Sequence, residues 1–159
     1  MPELPEVEVV KKSLSKTIYD LTIKNIEIRN KFLRYKIDEK LMKKMIKSKV
    51  LSITRRSKYI FINLNNHFTI MFHLGMTGKI IIVGANQNKF KTSFYYKLID
   101  NKPIHDHLIF KFNKDISLIY NDVRKFGFVK IFKTDKLYLS SHLQQLGPEP
   151  LSKKFDFNY

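Results

Sequence analysis

The residues that follow the initiator methionine could supply an amine nucleophile. Met1 is followed by Pro2 and then by the carboxylate of Glu3. If Met1 is removed, Pro2 becomes a secondary amine at the chain end, and an α-amine titrates near ~8 rather than the ~10.4 of a lysine, so about a tenth of it is free base near neutral pH. Its attack on a sugar C1′ or an aldehyde would give an iminium with a fixed positive charge, which is an electron sink for elimination.

A purely structural interpretation of the same residues is also open. Proline suits the first turn of a helix because the N–H that it lacks is not needed there. The carboxylates of Glu3, Glu6 and Glu8 suit a helix N-terminus, where the helix dipole favours negative charge. The opening residues therefore predict either a terminal catalyst or an ordinary helix start.

Two further segments combine cations, glycines and an apolar side chain at predicted strand ends. Arg55-Arg56-Ser57-Lys58-Tyr59 places three cations where they suit a phosphate and where a lysine could move protons; a solvated strand edge is the alternative. In His73-Leu74-Gly75-Met76-Thr77-Gly78, the glycines free the backbone to project Met76. An apolar side chain projected in this way could enter a base stack, and the alternative is that it folds back onto the core.

The segment Asn121-Asp122-Val123-Arg124-Lys125-Phe126-Gly127 pairs a guanidinium with an aromatic ring. Arg124 could hydrogen-bond an unpaired base through two donors, and Phe126 could wedge beside it. His105-Asp106-His107 precedes an apolar strand, and alternate strand residues share a face, so a two-histidine metal site is conceivable. No third ligand is evident in the sequence, so a metal site is not predicted.

Composition indicates a basic globular domain. The chain has 159 residues, of which 43% are hydrophobic, and this is enough for one domain with a core. It has 30 Lys and Arg residues against 14 Asp and Glu, a net charge of +16, which favours a polyanionic partner. A lysine-rich proteome bias is the alternative source of that charge.

Missing residue types and segments exclude other classes of protein. The sequence has no cysteine, which excludes disulfides and thiolate metal sites within these residues and fits a reducing compartment. No apolar run reaches membrane-spanning length, and the acidic start is unlike a signal peptide. We therefore expect a cytoplasmic protein with no membrane partner.

Hydrophobic periodicity predicts two helices. After Pro5, apolar residues recur at three- and four-residue steps and form one stripe, which would fix the amino terminus against a core. These residues are Val7, Val10, Leu14 and Ile18. Asp38 resembles an N-cap for a short helix through Ile46. That helix would bury Leu41, Met42 and Met45.

The remaining periodic segments predict many short antiparallel strands. We expect a mainly β (α+β) fold with capping helices, built as a two-layer antiparallel β-sandwich or pseudobarrel. Strands are expected within 21–37 and at 50–55, 59–64, 68–74, 79–83, 108–112, 116–120 and 128–132. The polar stretch 84–103 is predicted to be a long surface loop. Gly147-Pro148-Glu149-Pro150 indicates a domain edge, so we expect one domain over residues 1–145 and the start of a linker over residues 146–159.

The opening octet Met1-Pro2-Glu3-Leu4-Pro5-Glu6-Val7-Glu8 and the four segments above, in the same order, resemble the formamidopyrimidine-DNA glycosylases, bacterial repair enzymes that excise oxidised purines. The resemblance spans essentially the whole chain. It implies a bifunctional glycosylase and abasic-site lyase that forms a Schiff base on Pro2, with Glu3 and Lys58 also catalytic and Glu6 in support.

The resemblance also implies a role for each remaining site residue. Lys58 would hold a phosphate near the lesion and donate a proton during β-elimination, and His105 would contact the DNA backbone. Met76 would fill the void left by the flipped nucleotide, Arg124 would contact the base opposite, and Phe126 would intercalate.

The chain departs from the family pattern in three residues and in length. Val123 replaces the usual proline, Lys125 the usual second arginine, and Ser57 a small apolar residue. Full-length members continue into a helix–two-turn–helix module and a zinc finger that holds the family's single metal. We therefore expect residues 1–145 to be the N-terminal catalytic domain without a cofactor, and the sequence to be a fragment or a naturally truncated product.

The expected partner is double-stranded DNA that contains oxidised bases or abasic sites, bound by a monomer near the bacterial nucleoid. Two alternatives remain open. One is a non-catalytic basic DNA-binding remnant. The other is a glycosylase for oxidised pyrimidines of the endonuclease VIII branch, which shares the Pro-Glu start but does not usually carry the Leu-Pro-Glu-Val continuation or His-Leu-Gly-Met.

Overall fold

Two antiparallel β-sheets face each other across the main hydrophobic core. The computed structural model describes residues 3–84, 89–90, 102–140 and 142–143. Within these residues the strands are β1 (Ile23–Ile28), β2 (Val50–Arg56), β3 (Tyr59–Leu64), β4 (Phe68–His73), β5 (Gly78–Val83), β6 (Lys89–Phe90), β7 (Asp106–Phe112), β8 (Ser117–Asp122) and β9 (Phe128–Lys133). The helices are α1 (Leu4–Thr17) and α2 (Glu39–Lys43), with 3-10 segments at Pro103–His105 and Thr134–Leu139.

The five-stranded sheet has the order β1-β7-β8-β5-β6, and the four-stranded sheet has the order β2-β3-β4-β9. The predicted α+β class and two-layer sandwich are therefore confirmed, and the sheets do not close into a barrel. Consecutive strands lie in different sheets at three places, β1 to β2, β4 to β5 and β8 to β9. The connection from β1 to β2 is long and includes α2, whereas those from β4 to β5 and from β8 to β9 are short. We call these two short segments the two crossing connections.

Aromatic side chains from the inner faces of both sheets meet in the core. Phe72 of β4 lies with its ring centroid 6.0 Å from that of Phe110 in β7 and 6.1 Å from that of Tyr120 in β8. All three side chains are buried. Aromatic pairs at such distances add to the free energy gained by removing their area from water. They fix the spacing of the two sheets beneath the crossing connections.

Helix α1 forms where the apolar stripe predicts it. Its buried residues are Val7, Val10 and Leu14, followed by Ile18 just beyond the helix, and they pack against β2 and β3. Glu3 is the N-cap residue, and its carbonyl accepts the first helical bond from Val7 N at 3.0 Å. The stripe therefore anchors the amino terminus. Among the described residues no helix is both long and apolar enough to cross a membrane.

The predicted strand over residues 21–37 is only partly correct. β1 ends at Ile28, and residues 31–37 make a turn in which Phe32 and Lys36 form an isolated bridge. Ile37 N donates to the carbonyl of Lys31 at 2.8 Å and closes this turn. The β-branched and aromatic residues of this stretch therefore form a local bridged turn, which belongs to neither of the two sheets.

The second helix begins as predicted but ends early. The Asp38 carboxylate accepts a hydrogen bond from Leu41 N at 3.1 Å, so the N-cap prediction is confirmed. Helix α2 ends at Lys43 rather than at Ile46. The chain after it turns back alongside β1, and Lys47 N donates to Ile23 O at 2.7 Å. Met42 and Met45 are buried as predicted, whereas Leu41 is only partly buried.

Part of the predicted 84–103 loop is strand, because Lys89–Phe90 pairs with β5 at the edge of the five-stranded sheet. Residues 85–88, 91–101 and 144–159 lie outside the described residues. The predicted linker at 146–159 and the domain boundary at residue 145 therefore stay predictions.

The stripe on α1 allows a direct test of how the amino terminus is held. Leu14 is fully buried, so Leu14→Ala should lower the free energy of unfolding by about 2–5 kcal/mol, from lost burial and the cavity left behind. Urea denaturation followed by circular dichroism measures this change. Lys12→Ala, on the exposed face of the same helix, is the control and should change it by less than about 0.5 kcal/mol. Equal effects of the two substitutions would contradict the anchoring role.

Candidate functional site

Two ion pairs hold the start of α1 against the turn between β2 and β3. Glu3 Oε2 lies 3.3 Å from Lys58 Nζ, and Glu8 Oε1 accepts a hydrogen bond from Arg55 Nε at 2.9 Å. Arg55 Nη1 also donates to the carbonyl of Ser57 at 2.9 Å, and Ser57 has a left-handed φ of 53°. The turn that carries Lys58 is thus fixed by its own backbone and by α1. Two of the three predicted catalytic residues are brought together.

The third predicted catalytic residue, Pro2, lies outside the described residues and directly precedes Glu3 in the chain. The Glu3 side chain is 62% exposed and that of Lys58 is 30% exposed, so a ligand can reach both. A pair this exposed contributes about 1 kcal/mol or less to stability, and its effect is on geometry. Glu6 is partly buried in the first turn of α1, where a carboxylate suits the helix dipole. The catalytic and supporting roles stay predictions.

The two crossing connections lie side by side and carry three of the four predicted DNA-binding residues. Residues 74–77 join β4 to β5, and residues 123–127 join β8 to β9. Arg124 Nη1 lies 3.5 Å from Met76 Sδ, and its guanidinium carbon lies 4.6 Å from the ring centroid of Phe126. Met76 and Phe126 are each 44% exposed, so neither side chain folds back onto the core. We call Met76, Arg124 and Phe126 the wedge group.

The carboxylate of Asp122 holds both connections in place. It is fully buried and accepts four hydrogen bonds of 2.6–3.1 Å. The donors are the Thr77 hydroxyl, the Tyr120 hydroxyl, the Lys125 N–H and the Gly127 N–H. Thr77 Oγ1 also accepts a hydrogen bond from Arg124 N at 3.0 Å. Since a buried carboxylate is tolerated only when it is well hydrogen-bonded, the two connections are fixed as one structure.

Glycine is required where the two connections touch. Gly75 has φ +60°, and a Cβ there would overlap the backbone of residues 126–127. A Cβ on Gly127 would overlap the carbonyl oxygen of His73 and the carboxylate of Asp122. The glycines that the sequence places beside Met76 and after Phe126 therefore permit close backbone contact, in addition to freeing a side chain.

His105 lies in the 3-10 segment before β7 and lines a cleft of about 480 Å³. Arg29 and Lys125 line the same cleft, so three basic side chains face it together with one carboxylate, that of Asp106, which is hydrogen-bonded to Asn121. This composition suits a phosphate. Because Lys125 follows Arg124 directly, the cleft adjoins the wedge group. The DNA-contact role of His105 stays a prediction.

His107 does not share this position. It is buried, and its Nε2 lies 2.7 Å from the backbone oxygen of Asp122. Its ring therefore supports the strand end that carries the Asp122 carboxylate. The described parts of the chain contain no group of three or more histidine and acidic side chains that could hold a metal ion.

An aromatic row connects the turn of Lys58 to the wedge group. Tyr59, His73 and Phe128 are register partners across β3, β4 and β9. The His73 ring stacks on Phe128 with centroids 5.3 Å apart, and its Nδ1 accepts a hydrogen bond from Gly75 N at 3.1 Å. One end of the row is thus next to Lys58 in sequence, and its middle residue fixes the turn that projects Met76.

The surroundings of His73 favour its neutral form. Burial lowers its pKa most, and the positive charges of Arg34 and Lys58 and the neighbouring His142 lower it further. Only a neutral imidazole can accept the hydrogen bond from Gly75. The geometry of the Met76 turn therefore depends on this ring staying unprotonated.

Reasoning from sequence missed the residues that organise the site. Asp122 ends an apolar strand before a polar loop, and an aspartate there often bonds backbone N–H groups further along the chain. That signal was present, but it did not indicate burial or the partnership with Thr77. Nothing in the sequence places Arg29 beside His105, because 76 positions separate them in the printed sequence.

The chain matches the family model described as the formamidopyrimidine-DNA glycosylase N-terminal domain over residues 1–129. It is 38% identical over 159 residues to the formamidopyrimidine-DNA glycosylase of Rickettsia conorii and 39% identical to that of Rickettsia canadensis. Each alignment covers 100% of this chain and 53% of the relative. The chain therefore spans about half the length of the curated relatives that it matches.

Solved structures give a similar result. A complex between the Lactococcus lactis Fpg and an abasic site containing DNA superposes with a TM-score of 0.78 at 33% identity, over 98% of this chain and 53% of that chain. A complex of the same protein with a FAPY-dG containing DNA gives a TM-score of 0.77 at 34% identity, over 97% of this chain and 53% of that chain.

The role of Asp122 leads to a stability prediction. Asp122→Asn keeps the size and shape of the side chain but turns an NH₂ group toward the Gly127 N–H, which loses its acceptor. The free energy of unfolding should therefore fall by about 1–3 kcal/mol. Amide hydrogen exchange at Lys125 and Gly127 should accelerate more than exchange in the core strands. Asp115→Asn, which removes the same charge at an exposed turn, should leave both measurements unchanged. Similar behaviour of the two variants would contradict the role of Asp122 in holding the two crossing connections.

The lowered pKa of His73 leads to a pH prediction. A histidine whose pKa is lower in the folded than in the unfolded state destabilises the fold as pH falls below about 6.5, because the unfolded chain binds the proton more readily. His73→Asn keeps an acceptor for Gly75 N and removes this penalty. Between pH values of about 7.5 and 5.5, wild type should lose more unfolding free energy than the variant in urea titrations. An equal loss in both proteins would refute the assignment.

Proposed function

The chain belongs to the formamidopyrimidine-DNA glycosylase family, and on this premise we propose that it is a base-excision repair glycosylase domain with abasic-site lyase activity. The proposed substrates are oxidised purines, 8-oxoguanine and formamidopyrimidines, in double-stranded DNA, bound by a monomer. The contact between Glu3 and Lys58 carries the proposal, because it sets an acid–base pair beside the residue that follows Met1. The net charge of +16 supports a DNA partner.

Binding is proposed to begin at the wedge group. Extrusion of a nucleotide from the duplex costs a few kcal/mol and is least costly at a damaged pair. Met76 and Phe126 are exposed apolar side chains that can fill the space left in the stack, and Arg124 between them can hydrogen-bond the base left without a partner. Since Asp122 fixes these side chains before DNA arrives, little ordering is needed on binding.

The chemical step is proposed to start at Pro2 after removal of Met1. The Pro2 nitrogen attacks C1′ of the extruded nucleotide, and the bond from C1′ to the base breaks, so the base leaves with the bonding electrons and takes up a proton. The amine loses its own proton. The sugar ring opens as its oxygen accepts a proton, for which Glu3 is the proposed shuttle, and the product is an iminium between Pro2 and C1′.

Strand cleavage is proposed to follow by elimination. Glu3 removes a proton from C2′, the iminium accepts the electron pair, and the bond between C3′ and its phosphate oxygen breaks. Lys58 donates a proton in this step and holds a phosphate, and both roles agree with its position 3.3 Å from Glu3. Water then hydrolyses the iminium and restores the amine. The zinc that the family resemblance implies is assigned to a finger outside these residues, and no step above involves it.

Borohydride trapping tests this mechanism. Incubation of the whole chain with a duplex that contains 8-oxoguanine, in the presence of borohydride, should give a covalent adduct that peptide mass spectrometry locates at Pro2. Lys58→Gln should slow strand cleavage by about 10²–10⁴-fold, the usual effect of losing an acid–base group, because its proposed proton donation belongs to the elimination step. Lys111→Gln, which removes the same charge from an exposed position on β7, is the matched control and should react like wild type.

Two other outcomes would change the assignment. Salt-sensitive binding with no adduct would indicate a non-catalytic DNA-binding remnant. Faster reaction with oxidised pyrimidines than with 8-oxoguanine would indicate an enzyme of the endonuclease VIII kind. An adduct located at a lysine would refute the role of Pro2.

A further inference from the structure

A second group of basic side chains lies on the outer face of the four-stranded sheet, and the proposed mechanism does not use it. It consists of Arg34, Lys130 and His142 around the ring of Tyr35, and we call it the Arg34–Lys130 cluster. Lys130 Nζ lies 3.8 Å from the Tyr35 ring centroid and 2.8 Å from His142 Nε2. The guanidinium carbon of Arg34 lies 5.6 Å from the same centroid.

Aromatic rings form a rigid base beneath this cluster. Phe128 is buried, its ring centroid lies 4.9 Å from that of Tyr35 and 4.9 Å from that of His142, and Arg34 lies 6.0 Å from it. Arg34 and Lys130 therefore rest on ring faces, and the ring quadrupole attracts them without using their N–H donors. One N–H donor of Lys130 is used by His142. Arg34 is exposed, and Lys130 and His142 are partly exposed, so these donors can reach a ligand.

Among the described residues, the cluster lacks the acidic partners that neutralise other cations of this protein. Several basic side chains are paired with carboxylates: Arg29 with Glu27, Lys31 with Glu39, Lys49 with Asp20, Arg55 with Glu8, and Lys58 with Glu3. Within the described residues no carboxylate forms an ion pair with Arg34 or Lys130.

Burial and the neighbouring positive charges lower the pKa values of Lys130 and His142. Burial lowers the pKa of Lys130, and the charge of Arg34 lowers it further. Burial also lowers the pKa of His142, followed by the charges of Lys130 and Arg34. A bound anion would relieve this repulsion, and it would gain hydrogen bonds from Arg34 and Lys130.

The cluster is continuous with the proposed active site. Tyr59 directly follows Lys58 in the chain, and its ring centroid lies 6.0 Å from that of His142. The positive charges of both Lys58 and Arg34 lower the pKa of His73, so both side chains lie near this ring.

We propose that Arg34 and Lys130 form a second phosphate site, which binds a backbone phosphodiester of the same DNA strand that Lys58 holds. His142 positions the Lys130 ammonium by accepting its hydrogen bond. This inference rests on the proposed function for the identity of the polyanion. The site would extend the DNA track from the active site across the outer face of the four-stranded sheet.

The salt dependence of DNA binding tests the site. Fluorescence anisotropy with a duplex that contains a tetrahydrofuran abasic analogue gives the slope of log K against log salt between about 50 and 200 mM, and each phosphate contact contributes about −0.9 to it. Arg34→Gln and Lys130→Gln should each make the slope less negative by up to about 0.9, and the double variant should change it by no more than about 0.9, because both residues bind one phosphate. Arg34→Lys should keep most of the wild-type slope.

Lys111→Gln removes one charge far from the cluster and should leave the slope of wild type unchanged. Equal slopes for Arg34→Gln and Lys111→Gln would overturn the phosphate site even if wild type binds DNA and forms the Pro2 adduct. A slope change at Arg34 in a protein that forms no adduct would support the phosphate site while refuting the proposed catalysis. Failure of wild type to bind the duplex at any salt concentration would overturn both. Arg34 is exposed, so its variants test the site independently of any folding defect in Lys130→Gln.

Discussion

The site depends on one buried carboxylate. Asp122 stands at the end of β8, where the chain leaves one sheet for the other, and its oxygens accept hydrogen bonds from both crossing connections. Burial of a carboxyl group at this depth is costly unless such donors compensate for the lost water. The two connections therefore cannot adopt independent conformations. Met76, Arg124 and Phe126, which point outward from them, keep their mutual positions because a core interaction beneath them is satisfied.

The strand end at His73 joins the two halves of the site. On one side, the positive charge of Lys58 acts on this ring; on the other, the ring accepts the hydrogen bond that shapes the Gly75 turn. Helix α1 contributes from outside the sheets, since Glu3 and Glu8 bind the turn between β2 and β3. Secondary-structure elements far apart in sequence thus place the Glu3–Lys58 ion pair and the wedge group at one end of the sandwich.

Periodicity in the sequence was sufficient for the fold class, because the α1 stripe and the alternating strands depend on local patterns that burial then reinforces. The end of α2 was missed because a tertiary bond between Lys47 and Ile23 decides it. Site residues were found where their types are chemically unusual at their positions, as with Met76 between glycines. Asp122 and the Arg34–Lys130 cluster were not identified from the sequence, because their roles depend on contacts with residues distant in the chain. No local pattern encodes those partners.

Helix α1 begins without the usual protection of its first turn. Its N-cap residue, Glu3, makes no side-chain hydrogen bond to the helix amides and instead reaches Lys58. A serine or aspartate there would satisfy an amide and add about 0.5–2 kcal/mol to the helix. Selection for thermal stability alone would therefore favour replacement of Glu3. The resulting proteins would be more stable but would lose the carboxylate that contacts Lys58. Under the proposed mechanism, the weak helix start is a compromise between stability and activity.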